Sequence, residues 1–170
     1  MRVIRNPYLL LAVALLFAGC ATVSQLIRVE PPRFQAAEGR RSELRLLGPS
    51  STRPLGGAAV RIWARVQNPN AFGLTLSTVE GDLLLEGAHA AAVELPLGLP
   101  LRAQQDTVVP IDLTISFADV PGLADAAIRL LTERTVEYRL DGRFGVDAGP
   151  LGRPTFGPTT LLRGELDVRR

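Results

Sequence analysis

The chain has almost none of the residues on which polar chemistry is usually built. Among its 170 residues there is one cysteine, Cys20, and one histidine, His89. There is no lysine, so all 19 basic residues are arginine, as a GC-rich coding sequence would produce. A lone thiol excludes an internal disulfide framework and any zinc site needing several cysteines. A lone imidazole excludes histidine-rich metal sites and leaves one candidate for proton transfer near neutral pH. Aromatic residues make up only 5% of the chain, with a single tryptophan, Trp63. Against these absences stands an apolar content of 46% with 21% charged residues. That suits one globular domain, since about 150 residues bury roughly 68–70% of their unfolded surface.

The N-terminus reads as an address. Arg2 and Arg5 precede an apolar run from Tyr8 to Phe17, and the small residues Ala18 and Gly19 come just before Cys20. Leu16-Phe17-Ala18-Gly19-Cys20 resembles the lipobox of a bacterial lipoprotein signal, with Phe17 where Leu is usual. The alternative is an ordinary transmembrane anchor or secretory signal, for which the run is short, since a span needs about 20 residues. The lipoprotein reading divides the chain into a signal peptide (1–19), a lipidated tether (20–31) and a folded domain (32–170). It makes Cys20 the acylation site. Several acyl chains, including palmitate, would supply the hydrophobic signals that stable anchoring requires. Ala21 in place of Asp resembles the pattern sent to the outer membrane of a diderm cell. Arg2 and Arg5 leave with the signal, so 17 of the 19 arginines remain against 17 acidic residues. A neutral mature chain gives no footing for nucleic acid.

Beyond the tether, two-residue alternation dominates. Val60, Ile62, Ala64 and Val66 alternate with Arg61, Trp63, Arg65 and Gln67. Asn68-Pro69-Asn70 stops this strand, because Pro69 lacks an amide hydrogen and the asparagines favour tight turns. A second strand through Leu74, Leu76, Val79, Gly81, Leu83 and Leu85 follows, and the pair reads as a hairpin. Its phase slips between Leu76 and Val79, a candidate bulge. Gly87-Ala88-His89 reads as a turn and Ala90–Leu97 as a strand, with Pro96 implying an edge or a bulge and Gly98-Leu99-Pro100 ending it. Val109–Phe117, Thr135–Val146 and Leu162–Val168 are further strands, with a long loop over Gly149–Pro158.

Val120, Leu123, Ala124, Ala127, Ile128 and Leu131 change the period and predict an amphipathic helix over about 120–132, with Asp119 as N-cap. About seven strands with one wet face each, plus one helix, predict a mainly β chain. The expected architecture is an antiparallel β-sandwich of the immunoglobulin or fibronectin III kind.

Val66-Gln67-Asn68-Pro69-Asn70, then Leu76-Ser77-Thr78-Val79-Glu80-Gly81-Asp82-Leu83, Val93-Glu94-Leu95-Pro96, Asp119-Val120-Pro121-Gly122-Leu123 and Tyr138-Arg139-Leu140-Asp141-Gly142 carry a family likeness in their order and spacing. Together they resemble the late-embryogenesis-abundant type 2 domain, also called the water-stress and hypersensitive-response (WHy) domain. The resemblance runs from about Pro32 to the C-terminus. It implies a β-sandwich with one helix, a part in desiccation or osmotic stress tolerance, no catalytic residues and no cofactor. Asn68, Pro69 and Asn70 are its signature.

Other chemistry has less behind it. No nucleophile elbow accompanies His89, which reads as an exposed turn residue. Glu80 with Asp82, or Asp112 with Asp119, could form carboxylate pairs for hydrolysis or Ca²⁺, yet a solvated strand face looks the same. Trp63 lies opposite the apolar face, to be covered by the helix or stacked under the stems of Arg61 or Arg65. Two functions follow: a non-enzymatic envelope module with weak protein or membrane contacts, or a hydrophobic-ligand module whose groove Trp63 and Leu84 would line. No metal or cofactor enters either reading.

Overall fold

Alternating side chains become strands almost wherever they occur. The computed structural model describes residues 28–119 and 134–169. The chain divides into two units, Met1–Glu30 and Pro31–Arg170, and the fold is that of the second. Its elements are β1 (Arg33–Ala36), β2 (Glu43–Leu47), β3 (Gly57–Gln67), β4 (Leu74–Leu85), β5 (Ala88–Leu101), β6 (Asp106–Ser116), β7 (Thr135–Asp147) and β8 (Thr155–Arg169), with a 3₁₀ turn at Gly149–Leu151. The expected helix over 120–132, the signal peptide and Cys20 lie outside the described residues.

Hydrogen bonding is continuous through all eight strands. β6 pairs with β3 along its whole length, and the opposite side of β3 is shared by β2 near Arg61 and β1 near Val66. Trp63 falls in the gap between β1 and β2. There the Ala37 amide donates to the Trp63 carbonyl (2.9 Å), and the Trp63 amide donates to Ser42 Oγ (3.0 Å). β2 then pairs in parallel with β8 through Glu43↔Asp167 to Arg45↔Arg169, and β8, β7, β4 and β5 continue antiparallel. The ribbon folds over so that two halves face each other as a sandwich. Val60, Ile62 and Val66 from one half and Leu76, Leu83, Leu140 and Leu162 from the other are almost wholly buried. Phe34 on β1 meets Phe144 on β7 across the layers, ring centres 4.9 Å apart. Each buried leucine contributes about 1.5–3 kcal/mol.

Several expectations need correction. β3 and β4 are not a hairpin: β3 pairs with β1, β2 and β6, while β4 pairs with β5 and β7. Asn68-Pro69-Asn70 carries the chain from one layer to the other. The strands number eight among the described residues, and β5 runs on past Gly98 to Leu101. His89 sits on β5, and the loop after β7 closes by Pro154 because β8 begins at Thr155. The phase slip in β4 is a bulge as expected, with both ladders shifting register between Leu76 and Thr78. Pro96 fits an edge, since β5 is the last strand on its side.

Gly81 and Gly142 lie opposite each other in the β4–β7 ladder. A Cβ on Gly81 would strike the Asp141 carbonyl, and one on Gly142 the Glu80 carbonyl, so only bare backbone allows this approach. Gly142→Ala should therefore destabilise the domain by about 2–4 kcal/mol, read as a lower urea midpoint. Gly48→Ala, with open space around it, should leave the midpoint unchanged.

Tyr138 is buried over Gly164 with its hydroxyl in no well-formed hydrogen bond. Burial raises its pKa above the ordinary 10, and the nearby Ser42 hydroxyl opposes the shift in part. A raised folded value means the neutral phenol is favoured in the fold. The stability this contributes is complete below pH 10 and is lost as pH climbs through the folded value. Tyr138→Phe should match the parent within about 1 kcal/mol at neutral pH. Unfolding titrations should show that it also escapes the parent's loss of stability above pH 10.

Candidate functional site

The one concentration of buried polar chemistry among the described residues is the Asn68-Pro69-Asn70 corner, where Asn68 and Asn70 are the buried polar side chains. β3 ends here because Pro69 cannot donate to a ladder. The Asn68 side chain then does the work of a small sheet. Its Nδ2 donates to the carbonyls of Phe72 (2.8 Å), Arg102 (3.1 Å) and Leu101 (3.3 Å). Its Oδ1 accepts from the Asn70 amide (3.0 Å) and from Asn70 Nδ2 (2.9 Å). Two backbone bonds complete the knot, Asn68 N–H to the Gln105 carbonyl (2.9 Å) and Gln104 N–H to the Asn70 carbonyl (3.0 Å). One amide thus fastens the β3–β4 crossover to the turn between β5 and β6. It holds both ends of the carboxamide, which leaves no free valence for a substrate.

The remaining candidates are scattered. Trp63 is half-buried on the outer face of β3, with the Arg40 guanidinium 4.5 Å from its ring centre. Arg61 and Arg65 do not stack on it, because they pair with Asp112 (2.6 Å) and Asp106 (3.4 Å). The Asp112 carboxylate raises the Arg61 pKa further, chiefly through their hydrogen bond. Leu84 is on the outer face of β4, in the other layer, so it and Trp63 do not share a groove. His89 is exposed and meets Asp82 at 3.1 Å; Glu80 holds Arg143 at 2.9 Å. Of the carboxylates considered for catalysis or Ca²⁺, Glu80 and Asp112 are therefore engaged in cross-strand ion pairs and Asp82 in a cross-strand contact with His89. Asp147 has its pKa lowered, first by the Gly149 amide and then by Arg153, despite partial desolvation. No group of three or more His, Cys, Asp or Glu residues suited to a metal occurs among the described residues. The surface hollows are open, and two of them are lined by charge, while a third of about 510 Å³ is lined by Phe34, Leu161 and Leu162 beside Arg139 and Arg163. One of about 820 Å³ is lined by Glu43, Arg45, Arg61, Asp112 and Arg169, and another of about 560 Å³ by Glu137, Arg139, Arg163 and Glu165.

A family model described as late embryogenesis abundant protein (LEA_2) matches residues 64–159, just over half of the chain. The chain belongs to this family. The LEA_2 match begins inside β3 and takes in the whole Asn68 corner. No curated protein matches the chain significantly. Among solved structures, the LEA_2 chain is similar to that of AT1g01470 from Arabidopsis thaliana, with TM-score 0.59 and 16% identity over 85% of this chain and 87% of the other. It is also similar to the late embryogenesis abundant (LEA) candidate At2g46140.1, with TM-score 0.51 and 14% identity over 96% and 86% of the two chains. At such identities these likenesses show the fold alone. The Asn68-Pro69-Asn70 turn was visible in the sequence; its partners Leu101 and Arg102 were not, being more than thirty residues away.

Asn68→Ala would remove the donor shared by the Phe72, Leu101 and Arg102 carbonyls and the acceptor of two Asn70 bonds at a largely buried corner. The expected cost is about 3–5 kcal/mol by chemical denaturation. Asn68→Asp should cost at least as much, because it replaces the donor to those carbonyls with a second acceptor.

Proposed function

We propose that this LEA_2 protein is a non-enzymatic, lipid-anchored module of the cell envelope that takes part in desiccation or osmotic stress tolerance or in envelope maintenance. The observation that carries the reading is the Asn68 corner inside the LEA_2 match: the one buried polar cluster among the described residues is spent on structure, in a family named for its abundance in late embryogenesis. Cys20, placed after a lipobox-like run, would fix the chain to a membrane through its acyl groups, and Ala21 favours the outer membrane facing the periplasm of a diderm cell. The folded domain would present outward strand faces whose arginines and carboxylates neutralise one another. Such pairs contribute little stability individually, but they let a surface remain soluble without attracting nucleic acid or anionic lipid. With 46% apolar residues the chain folds before stress arrives, unlike disordered dehydration proteins.

The alternative, a module that carries an acyl chain or another hydrophobic ligand, has less support. Leucines fill the space between the layers, and Trp63 and Leu84 face opposite ways. Labelled palmitate and membrane fractionation test the anchor. The parent should incorporate label and sediment with membranes, and Cys20→Ser should do neither. Unchanged labelling in the serine variant would overturn the anchor. A deletion strain with normal survival of drying, freezing and osmotic shock would overturn the protective role.

A further inference from the structure

Two edge strands of the folded ribbon, β5 and β6, carry proline at positions whose missing amide would have pointed outward. On the side of β6, Trp63 and Pro110 are opposite each other. The Trp63 amide and carbonyl are both engaged on the other side of β3, with Ser42 and Ala37. Trp63 and Pro110 are thus a non-hydrogen-bonded pair, and the prolyl nitrogen faces the free edge. On the side of β5, Glu80 lies opposite both Glu94 and Arg143. A Cβ on Gly142 would strike the Glu80 carbonyl, so that carbonyl points toward β7. Glu94 therefore turns its backbone outward, and two residues on, Pro96 does the same. Directly after Pro96 the strand bulges, with Gly98 in the left-handed region (φ 56°), and Pro100 follows. Exposed Asp106 and Asp112 flank Pro110 along β6.

We infer that Pro96 and Pro110 close the long β5 and β6 edges of this domain to strand addition, leaving only the four-residue β1 as an edge among the described strands, so that copies crowded together remain separate. The partner excluded is a second copy of the same chain. An incoming strand needs an unbroken row of amides and carbonyls, and each proline removes one donor and puts a ring in its path. At the same positions proline costs the domain nothing, because neither ladder uses the missing amide. This inference goes beyond the proposed function and does not depend on the anchor.

The test uses the full chain in detergent micelles, comparing the parent with Pro96→Val, Pro110→Val and the double variant across a concentration series. Sedimentation gives the protein mass, and the amide I infrared band reports intermolecular sheet. The parent should hold its monomer mass, while the double variant shifts to multiples of it and gains the intermolecular band. A folded double variant as monodisperse as the parent would overturn the inference. Hydrogen exchange of the parent decides the matter if the variant does not fold. The outward amides of Glu94, Val108 and Asp112 should exchange at rates independent of protein concentration, and protection that grows with concentration would overturn it.

Discussion

Everything in this domain hangs on how the chain changes layers after β3, and that change is secured by one buried carboxamide. A corner that leaves a sheet exposes backbone carbonyls, and in a dry interior each unmatched one costs about 1–3 kcal/mol. Asn68 Nδ2 donates to three of them, sharing the Arg102 carbonyl with the Gln105 amide, and its Oδ1 is itself held by Asn70. Because the three belong to two separate segments, the amide also sets the distance between the ends of β3 and β5. Burial of Val66 below the corner and of Leu101 beside it follows from that distance.

The outer faces follow a different rule. Arg61 with Asp112, Arg143 with Glu80 and Arg169 with Glu43 cross from strand to strand. Guanidinium suits this use, since it forks onto a carboxylate and keeps its charge at any physiological pH. Charges matched across strands also leave no strong field over the surface. Trp63 shows the consequence locally: the two arginines beside it on the same face of β3, Arg61 and Arg65, are committed to aspartates, and a more distant arginine, Arg40, lies on the ring.

Much of the fold was legible because alternation is a local signal. β4 runs from Leu74 to Leu85 as its pattern implied, and the slip after Leu76 marked a true bulge. What alternation cannot convey is which strand pairs with which. Six residues between β3 and β4 suit a hairpin as well as a crossing between layers, and only contacts with the turn at residues 102–105 choose the crossing. The same holds for the corner itself. Asn68 and Pro69 announced a turn through their own chemistry, but the carbonyls that bury Asn68 arrive from β5. Proline and glycine in β5 and β8 also read as breaks, whereas β5 runs through Gly98 and β8 through Gly157 and Pro158, because bulged ladders tolerate them.

The position of β8 has a consequence for how the molecule is made. Its backbone joins β2 on one side to β7 on the other, and among the described residues it is the strand whose ladders connect the two halves. A nascent chain emerging from a ribosome therefore lacks this keystone until residues 155–169 are free. Until then neither ladder of β8 can form, and its parallel pairing with β2, the most distant in sequence, closes the sheet in one late, long-range step.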